Sequence, residues 1–257
     1  MKRKELKKAL KNRERLFGGW ISYDHSAIAE TFALSGFDFI AIDMEHTPIS
    51  LSSAQKIITI SQGYNVPCLP RPVSHSNNYF KRILDSGSDG LIVQMVNNYD
   101  QIESISKLVK YPPLGERTYG VNRAHSYGLD FDNYVNSWNN ESILIIQIES
   151  KEGVENIEAI ASHPSVDAVM IGPYDLSGSY GIPGDINNEI IEKASIKVID
   201  ACRKNCKSCG TQISEVNIEN TRNAFNLGYT FVIMGSDLFA ITKWAKETKN
   251  LMLDFKK

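Results

Sequence analysis

The sequence lacks any apolar run close to the roughly 18 residues that a membrane-spanning helix requires, which argues against a membrane protein. Its basic first segment, MKRKELKKALKNRERLFGG, lacks the apolar stretch of a secretory signal, so we expect a cytoplasmic protein. The sequence also lacks a large excess of positive or negative charge, because its formal net charge is −2 at pH 7. Such a balance favours neither nucleic acid nor a membrane surface as a partner. Hydrophobic residues make up 42% of the chain, which excludes disorder and supports a substantial core.

Cysteine is scarce, with four residues in the chain, and three of them lie in the segment ACRKNCKSCG. The spacing of Cys202, Cys206 and Cys209 is compatible with a metal or cluster site. However, no fourth soft ligand is nearby, and lysine and arginine fill the gaps. Free thiols on a helix end and the following turn are therefore the favoured interpretation, with a cofactor site as the alternative.

Short continuous apolar runs alternate with amphipathic segments from one end of the chain to the other. Runs of this kind are typical of parallel strands that are covered on both faces. The predicted strands are 17–22, 37–45, 66–71, 90–96, 143–149, 168–173, 209–214 and 231–236. The predicted helices are 25–36, 77–87, 100–111, 154–164, 188–205, 217–228 and 237–257.

Eight strand–helix units in this length predict an α/β protein with a single (β/α)8 TIM barrel domain over residues 1–257. A doubly wound open sheet is the alternative, but the first strand is not followed by a Gly-x-Gly-x-x-Gly turn. Residues 1–16 are expected to form an extra N-terminal helix outside the barrel. For its basic part, 2–15, a solvated face is favoured over a contact with another chain.

Polar side chains follow several predicted strands at the point where each strand ends. In a (β/α)8 barrel these ends and the loops after them carry the chemistry. The residues placed there are Asp43, Glu45, His46, Arg71, Gln147, Glu149, Asp175, Gln212 and Asp237. Acids, one histidine and one arginine are therefore expected to converge on one rim of the barrel.

These residues allow structural as well as functional interpretations. The ionisable residues of AIDMEHTP, 41–48, could form a salt-bridged strand end, a metal site or part of an active site, since buried ionisable groups need partners. Asp175 and Asp237 could cap helices, and Arg71 could lie on a surface loop. Glu149 and Asp175 follow consecutive strands, and two carboxylates with waters and a chelating substrate describe a site for a hard divalent cation.

Five motifs, in this order and spacing, resemble the HpcH/HpaI family of metal-dependent aldolases, whose barrel is shared with the citrate lyase β subunit. The motifs are GFDFIAIDMEHTP, PRP, YPPLGERTYG, QIES and GPYDLSGSYG. The resemblance runs from about Gly18 to Ala240. It implies a hexameric (β/α)8 enzyme that makes or cleaves a carbon–carbon bond between pyruvate and an aldehyde. The implied cofactor is Mg²⁺ or Mn²⁺, with Co²⁺ or Zn²⁺ as alternatives.

The resemblance also implies roles for individual residues. The family's metal ligands fall on Glu149 and Asp175. Its catalytic histidine falls on His46, with Asp43 as the partner that orients it, and its arginine falls on Arg71. Further residues are expected to bind the substrate: Gln147, Gly172, Pro173, Tyr174 and Gln212.

Two details concern the edges of this site. Glu45 alternates with Asp43 and His46 along the strand, so we expect it to face away or to bond locally in a structural role. Tyr174 and Gln212 depart from the family pattern. The bulkier and more polar wall that they make favours a polar or sugar-like aldehyde.

Other activities are compatible with the same residues. A metal site of this kind could serve decarboxylation of a 2-keto acid such as oxaloacetate, or cleavage of a CoA thioester, although no CoA-binding surface is identifiable in the sequence. A barrel that only binds a 2-keto acid is a further, non-catalytic alternative. In every case the expected partners are small molecules and further copies of the chain, with no nucleic acid and no membrane.

Overall fold

Eight parallel strands form one sheet in the computed structural model, which describes residues 1–256. Lys257, the last residue of the predicted helix 237–257, lies outside the described residues. The strands are β1 (Leu16–Ile21), β2 (Phe39–Asp43), β3 (Cys68–Arg71), β4 (Gly90–Val93), β5 (Ile143–Ile148), β6 (Ala168–Ile171), β7 (Ser208–Ile213) and β8 (Phe231–Met234). Each corresponds to one of the predicted strands.

The order of the strands is that of a barrel. The sheet runs β3-β2-β1-β8-β7-β6-β5-β4, so the first strand pairs with the last. At the two ends of this order the Asp89 N–H donates to the Cys68 carbonyl oxygen at 3.0 Å, which places the beginning of β4 beside β3. The (β/α)8 barrel is thereby confirmed, and the doubly wound open sheet is wrong.

Helices cover the outside of the barrel and close one end of it. They are α1 (Arg3–Lys11), α2 (Ser26–Leu34), α3 (Leu51–Gly63), α4 (Asn77–Asp85), α5 (Tyr99–Val109), a 3₁₀ turn (Arg123–Gly128), α6 (Phe131–Glu141), α7 (Lys151–Glu155), α8 (Ile157–Ser162), α9 (Pro173–Ser179), α10 (Glu189–Lys204), α11 (Ile218–Leu227) and α12 (Asp237–Asp254). The sequence pattern does not predict α3 and α6, which are rich in serine, asparagine and β-branched residues of modest helix propensity. Packing against the barrel stabilises them instead.

The helix α1 packs across the amino-terminal end of the barrel. Leu6 and Leu10 are fully buried and belong to the cluster of apolar side chains inside the strand ring, with Phe39 and Phe231. The Ser208 hydroxyl, at the start of β7, donates to the Leu10 carbonyl oxygen at 2.7 Å. As expected, the helix lies outside the strand ring. Only its outer side is exposed to solvent, so the expected solvated face accounts for one side of the helix. Its apolar side closes the bottom of the barrel.

The three clustered cysteines divide between two elements and the turn that joins them. Cys202 is buried in α10, Cys209 is buried in β7, and Cys206 is exposed between them; all three are free thiols. Within residues 1–256 they form no group of three metal-binding side chains with histidine or acids. Across the same residues, no helix combines the length and apolarity needed to cross a membrane.

Candidate active site

The carboxyl-terminal ends of the strands surround a cavity of about 170 Å³. The ten residues to which the resemblance assigns a role all line this cavity: Asp43, His46, Arg71, Gln147, Glu149, Gly172, Pro173, Tyr174, Asp175 and Gln212. Glu45 and Asp237, also expected at this rim, are not part of its lining. The ten residues come from β2, β3, β5 and β7, from the residues just after β2 and β5, and from the N-cap and first turn of α9. The barrel therefore brings together residues that are up to 169 positions apart, from Asp43 to Gln212.

Arg71 is held in one orientation by a set of close contacts. Its Nε donates to Asp43 Oδ1 at 3.2 Å, and its Nη2 lies 2.8 Å from Asp43 Oδ2 in an ion pair. The register of β2 against β3 places the two residues side by side. Its Nη1 lies 3.0 Å from Glu45 Oε2, an ion pair without hydrogen-bond alignment. Its guanidinium carbon is 4.8 Å from the centre of the Trp20 ring. Arg71 is only 6% exposed, so its interpretation as a surface loop residue is wrong.

The structure revises the expected pairing of Asp43 with the His46 ring. Asp43 Oδ1 accepts the backbone N–H groups of Glu45 and His46 at 3.0 and 3.1 Å, so Asp43 fixes the backbone of the turn. The His46 ring is exposed and lies next to Glu45, with Nε2 3.5 Å from Oε2. Because β2 ends at Asp43, strand alternation does not extend to Glu45. Its half-buried side chain contacts Arg71 and His46, which agrees with the expected local bonding and not with the alternative that it faces away.

Glu149 is buried at the end of β5 with both carboxylate oxygens engaged. Oε1 accepts the Gln147 side-chain amide at 2.7 Å, and Oε2 accepts the Met95 backbone N–H at 3.1 Å. Burial raises the pKa of Glu149 to about 7, against the lowering effects of the Met95 hydrogen bond and of Arg71. Repulsion from Asp175 and Glu45 adds to the increase in pKa. The carboxylate is therefore oriented, but it forms no ion pair with any residue in the described range 1–256.

The turn after β6 approaches Glu149 closely at Gly172. A Cβ at this position would lie 2.5 Å from Glu149 Oε1, so any larger residue would displace the carboxylate. Gly172 is the N-cap of α9 and Pro173 its first residue, while Asp175 stands in the first turn without capping the helix. Tyr174 is 54% exposed at the cavity mouth. The turn thus presents a small residue to Glu149 and a carboxylate and a phenol to the entrance.

The residues present fit a divalent cation. Burial and the negative charges of Asp175 and Glu45 raise the pKa of Glu149, and the buried guanidinium of Arg71 is already paired with Asp43. A bound cation would therefore stabilise the Glu149 carboxylate. Oxygen donors of this kind suit Mg²⁺ or Mn²⁺. No three His, Cys, Asp or Glu side chains within the described part of the chain are grouped as a metal site. Two carboxylates would leave the remaining coordination positions to water and substrate, as Mg²⁺ commonly requires.

Some residues at the cavity were not predicted from the sequence. The side chains are Trp20, Ser22, Met170, Ile171, Ser236, Leu238 and Phe239. Most of them lie at or just beyond the ends of β1, β6 and β8, so strand-end position is the signal that could have identified them. The Met95 backbone donor has no sequence signal, because any residue carries an N–H group.

Asp237 does not cap α12 as one interpretation held. Its carboxylate accepts the backbone N–H groups of Ser22 and Tyr23 at 2.8 and 2.9 Å and so ties the loop after β1 to the start of α12. The N-cap of α12 is Ser236, whose hydroxyl accepts the Phe239 N–H at 3.1 Å.

Comparisons with known proteins agree with this architecture. The sequence profile described as HpcH/HpaI aldolase/citrate lyase matches residues 16–243. A 2-keto-3-deoxy-L-rhamnonate aldolase from Salmonella dublin is 31% identical over 241 residues, which covers 92% of this chain and 88% of the relative. An HpcH/HpaI aldolase/citrate lyase family protein from Burkholderia cenocepacia J2315 is 27% identical, with a TM-score of 0.89 over 99% of this chain and 100% of that one. An HpcH/HpaI aldolase from Desulfitobacterium hafniense DCB-2 is 26% identical, with a TM-score of 0.88 over 96% of each chain.

Proposed function

The chain belongs to the HpcH/HpaI aldolase/citrate lyase family, and we propose that it is a divalent-metal-dependent aldolase that joins pyruvate to an aldehyde and cleaves the resulting 4-hydroxy-2-keto acid. The observation that carries the proposal is that two acids, Glu149 and Asp175, line the same cavity as the guanidinium of Arg71, which Asp43 holds in place. Family membership supports carbon–carbon lyase chemistry. The geometry supports the residue roles.

Glu149 and Asp175 would hold the metal. When bound, a divalent cation supplies Lewis-acid polarisation of the 2-keto group. Gln147 orients Glu149 through the hydrogen bond from its amide, and its own buried Oε1 has no partner among the described residues. Gly172 keeps the space beside Glu149 Oε1 open. The carboxylate is thus positioned before any ligand arrives, which reduces the reorganisation that binding requires.

Arg71 and His46 would act on the substrate itself. The guanidinium, oriented by Asp43 and Trp20, can donate a hydrogen bond to the keto oxygen, where negative charge develops as the bond breaks. In the cleavage direction, His46 accepts the proton of the C4 hydroxyl, directly or through a water molecule, while the C3–C4 bond breaks. The electron pair stays on the three-carbon product, and C3 then takes up a proton. Glu45 lies beside the imidazole, with its Oε2 3.5 Å from His46 Nε2.

Removal of the metal tests the proposal directly. In excess EDTA, the release of pyruvate from a 4-hydroxy-2-keto acid is expected to fall by at least about 100-fold, because several kcal/mol of charge stabilisation are lost. Adding back Mg²⁺, Mn²⁺ or Co²⁺ in excess over the chelator should restore the rate. Measuring aldehyde and CO₂ together separates aldol cleavage from decarboxylation of oxaloacetate. Full activity in excess chelator would contradict the proposal. An absence of turnover with every metal tested would favour a barrel that binds 2-keto acids without converting them.

We propose a polar hydroxyaldehyde as the acceptor. Tyr174 places a phenol at the cavity mouth, and Gln212, whose amide donates to the Gly235 carbonyl oxygen at 3.0 Å, adds a second polar group to the lining. The Salmonella relatives carry the name of an aldolase for a deoxy sugar acid, in agreement with such an acceptor.

Replacing Tyr174 tests the acceptor. Tyr174→Ala is expected to lower the preference for a hydroxyaldehyde over an unsubstituted aldehyde of the same length by roughly tenfold, the scale of one lost polar contact. The measurement is kcat/KM across a panel of aldehydes with pyruvate held in excess. Tyr64→Ala, which removes a tyrosine remote from the cavity, is the matched control. An unchanged preference across the panel would rule out a role for Tyr174 in aldehyde selection.

We propose a homo-oligomer, a hexamer on the family pattern, with α12 in an interface. The helix buries only Asp237 and exposes a series of large apolar side chains: Leu238, Phe239, Ile241, Trp244, Leu251, Met252 and Leu253. Beside β1 and α11, an apolar groove of about 590 Å³ is lined by Phe17, Ile218 and Phe225. Exposed apolar surface on this scale is typical of an interface rather than of a solvated helix.

Charged substitutions on α12 test the assembly. The double variant Trp244→Glu/Leu251→Glu is expected to shift the molar mass from a multiple of 28.8 kDa toward the monomer, because the interface would have to bury two carboxylates. Light scattering after size exclusion gives the mass. Lys246→Glu, an exposed change on the same helix, should leave it unchanged. A wild-type protein that is monomeric at every concentration would refute the assembly.

The remaining partners and the compartment follow from the same observations. We propose small molecules as the substrates. Four free cysteines, three of them buried, support a reducing compartment, in line with the cytoplasmic location expected from the sequence.

A further inference from the structure

A second polar cavity, of about 720 Å³, lies at the opposite end of the barrel from the active site. It opens between the polar side of α1, the end of α5 and the loops that lead into β6 and β7. Its lining includes four lysines: Lys7, Lys11, Lys110 and Lys207. None of them belongs to the site described above, and no step of the proposed reaction uses them.

The lysines are fixed in place mainly through neutral oxygen atoms. Lys110, only 5% exposed, donates to the Asn139 carbonyl oxygen at 2.7 Å and to the Ser142 hydroxyl at 2.6 Å. Lys7 donates to the Ser142 carbonyl oxygen at 2.7 Å. Lys207 donates to the Val166 carbonyl oxygen at 2.6 Å. An ammonium has three N–H groups, so each of these lysines keeps at least one donor available.

Positive charge in this cavity exceeds negative charge. Asp167 lies 2.6 Å from Lys7 Nζ, but its other oxygen accepts the Leu144 N–H at 2.9 Å. Glu103 stands at the rim, where it contacts His163 at 3.1 Å. Two acids thus face four lysines. In agreement, burial and the charge of Lys7 lower the pKa of Lys110 to about 8. Buried charge without a counterion is unfavourable, and a bound anion would relieve that cost.

We infer that this cavity, the lysine cavity, is a binding site for a small multivalent oxyanion, either inorganic phosphate or a phosphomonoester. Lysine ammonium groups are common phosphate ligands, and several converging on one cavity raise affinity for multiply charged anions over chloride. The volume exceeds that of phosphate alone and leaves space for an organic group. The lysines exclude a cation, and no three acids, histidines or cysteines within residues 1–256 are grouped to hold one.

Occupancy of the site would tie α1 to the barrel. Lys7 and Lys11 belong to α1, whereas Lys110 follows α5 and Lys207 precedes β7, so one anion would bridge segments that are distant in sequence. Leu6 and Leu10, on the same helix, close the bottom of the barrel. A ligand that binds only the folded protein stabilises it by mass action. At about 100 times the Kd, we expect the Tm to rise by roughly 5–10 °C.

The test is calorimetric titration of the full-length protein with inorganic phosphate, pyrophosphate and glycerol phosphate, at an ionic strength held constant with chloride, together with Tm measurements. Saturable binding is expected. Lys110→Met/Lys207→Gln should weaken it at least tenfold, since two charged contacts are lost. Lys11→Gln/Lys207→Gln removes charge nearer the rim, so it tests the site even where the buried substitution impairs folding. Lys8→Gln, an exposed change on the same helix outside the lining, should bind as the wild type does.

The active site is an independent anion binder, so one further variant separates the two. Arg71→Met should retain the phosphate affinity of the lysine cavity. Tighter binding of glycerol phosphate than of inorganic phosphate would identify an ester as the ligand, and the reverse order would identify free phosphate. The inference fails if none of the three anions binds saturably, if both lysine double variants bind with wild-type affinity, or if Arg71→Met alone abolishes binding.

Discussion

Replacing Glu149 by glutamine is expected to lower kcat/KM for cleavage of a 4-hydroxy-2-keto acid roughly 10³-fold while the barrel stays folded. Glutamine has the same shape as glutamate but a single acceptor oxygen. The Gln147 amide and the Met95 N–H donate to different oxygens of Glu149, so glutamine can accept only one of these two hydrogen bonds in its present geometry. The change removes the charge of one of the two proposed metal ligands. It leaves the Arg71–Asp43 pair in place, so the loss reports on the cation and not on the guanidinium.

Two measurements separate a lost metal from a damaged fold. Calorimetric titration with Mn²⁺ should show affinity reduced by one to two orders of magnitude in Glu149→Gln, as removal of a charged ligand implies. The Tm without metal should equal or exceed that of the wild type, because the carboxylate is buried next to other acids and its pKa is raised to about 7. Glu152→Gln, an exposed change in the next helix, is the control. Wild-type Mn²⁺ affinity in Glu149→Gln would contradict the assignment of the ligand.

The sequence was sufficient to predict the barrel and the set of residues at its rim. Parallel strands that are buried on both faces appear in the sequence as continuous apolar runs. A polar residue marks the end of such a run, as Glu149 does in QIE and Arg71 does in LPR. Because all strands of a (β/α)8 barrel point the same way, strand ends alone bring these residues together. Seven of the ten residues in the cavity lining follow from strand-end position, whereas Gly172, Pro173 and Tyr174 follow from the resemblance to the family.

The contacts within the rim could not be predicted in the same way. Strand periodicity holds only as far as Asp43, so it could not decide between the two expectations for Glu45, which bonds locally with Arg71 once the backbone leaves the strand. The partner of Asp43 is set by the register between β2 and β3, which a single sequence does not show. The lysine cavity had no sequence signal either, since its lysines are spread from Lys7 to Lys207 and meet only because α1 crosses the bottom of the barrel.

Arg71→Lys is expected to lower kcat/KM roughly 10²- to 10³-fold although the positive charge is conserved. The guanidinium donates a hydrogen bond to Asp43, forms ion pairs with Asp43 and Glu45, and lies 4.8 Å from the centre of the Trp20 ring. A lysine ammonium is a point charge on a flexible stem and cannot keep this fork, so it cannot hold a donor at a fixed position near the keto oxygen. Buried Asp43 would also lose one of its two contacts with the guanidinium, which costs stability.

The distribution of the loss between kinetic constants distinguishes a catalytic arginine from a structural one. If Arg71 stabilises charge that develops during bond cleavage, kcat falls while KM for the 2-keto acid changes little. If it only anchors the substrate carboxylate, KM rises and kcat is retained. Arg82→Lys, which replaces an exposed arginine on α4, should change neither kcat nor KM. Equal activity of Arg71→Lys and the wild type would show that charge alone suffices and that the bidentate pair with Asp43 serves the fold rather than the reaction.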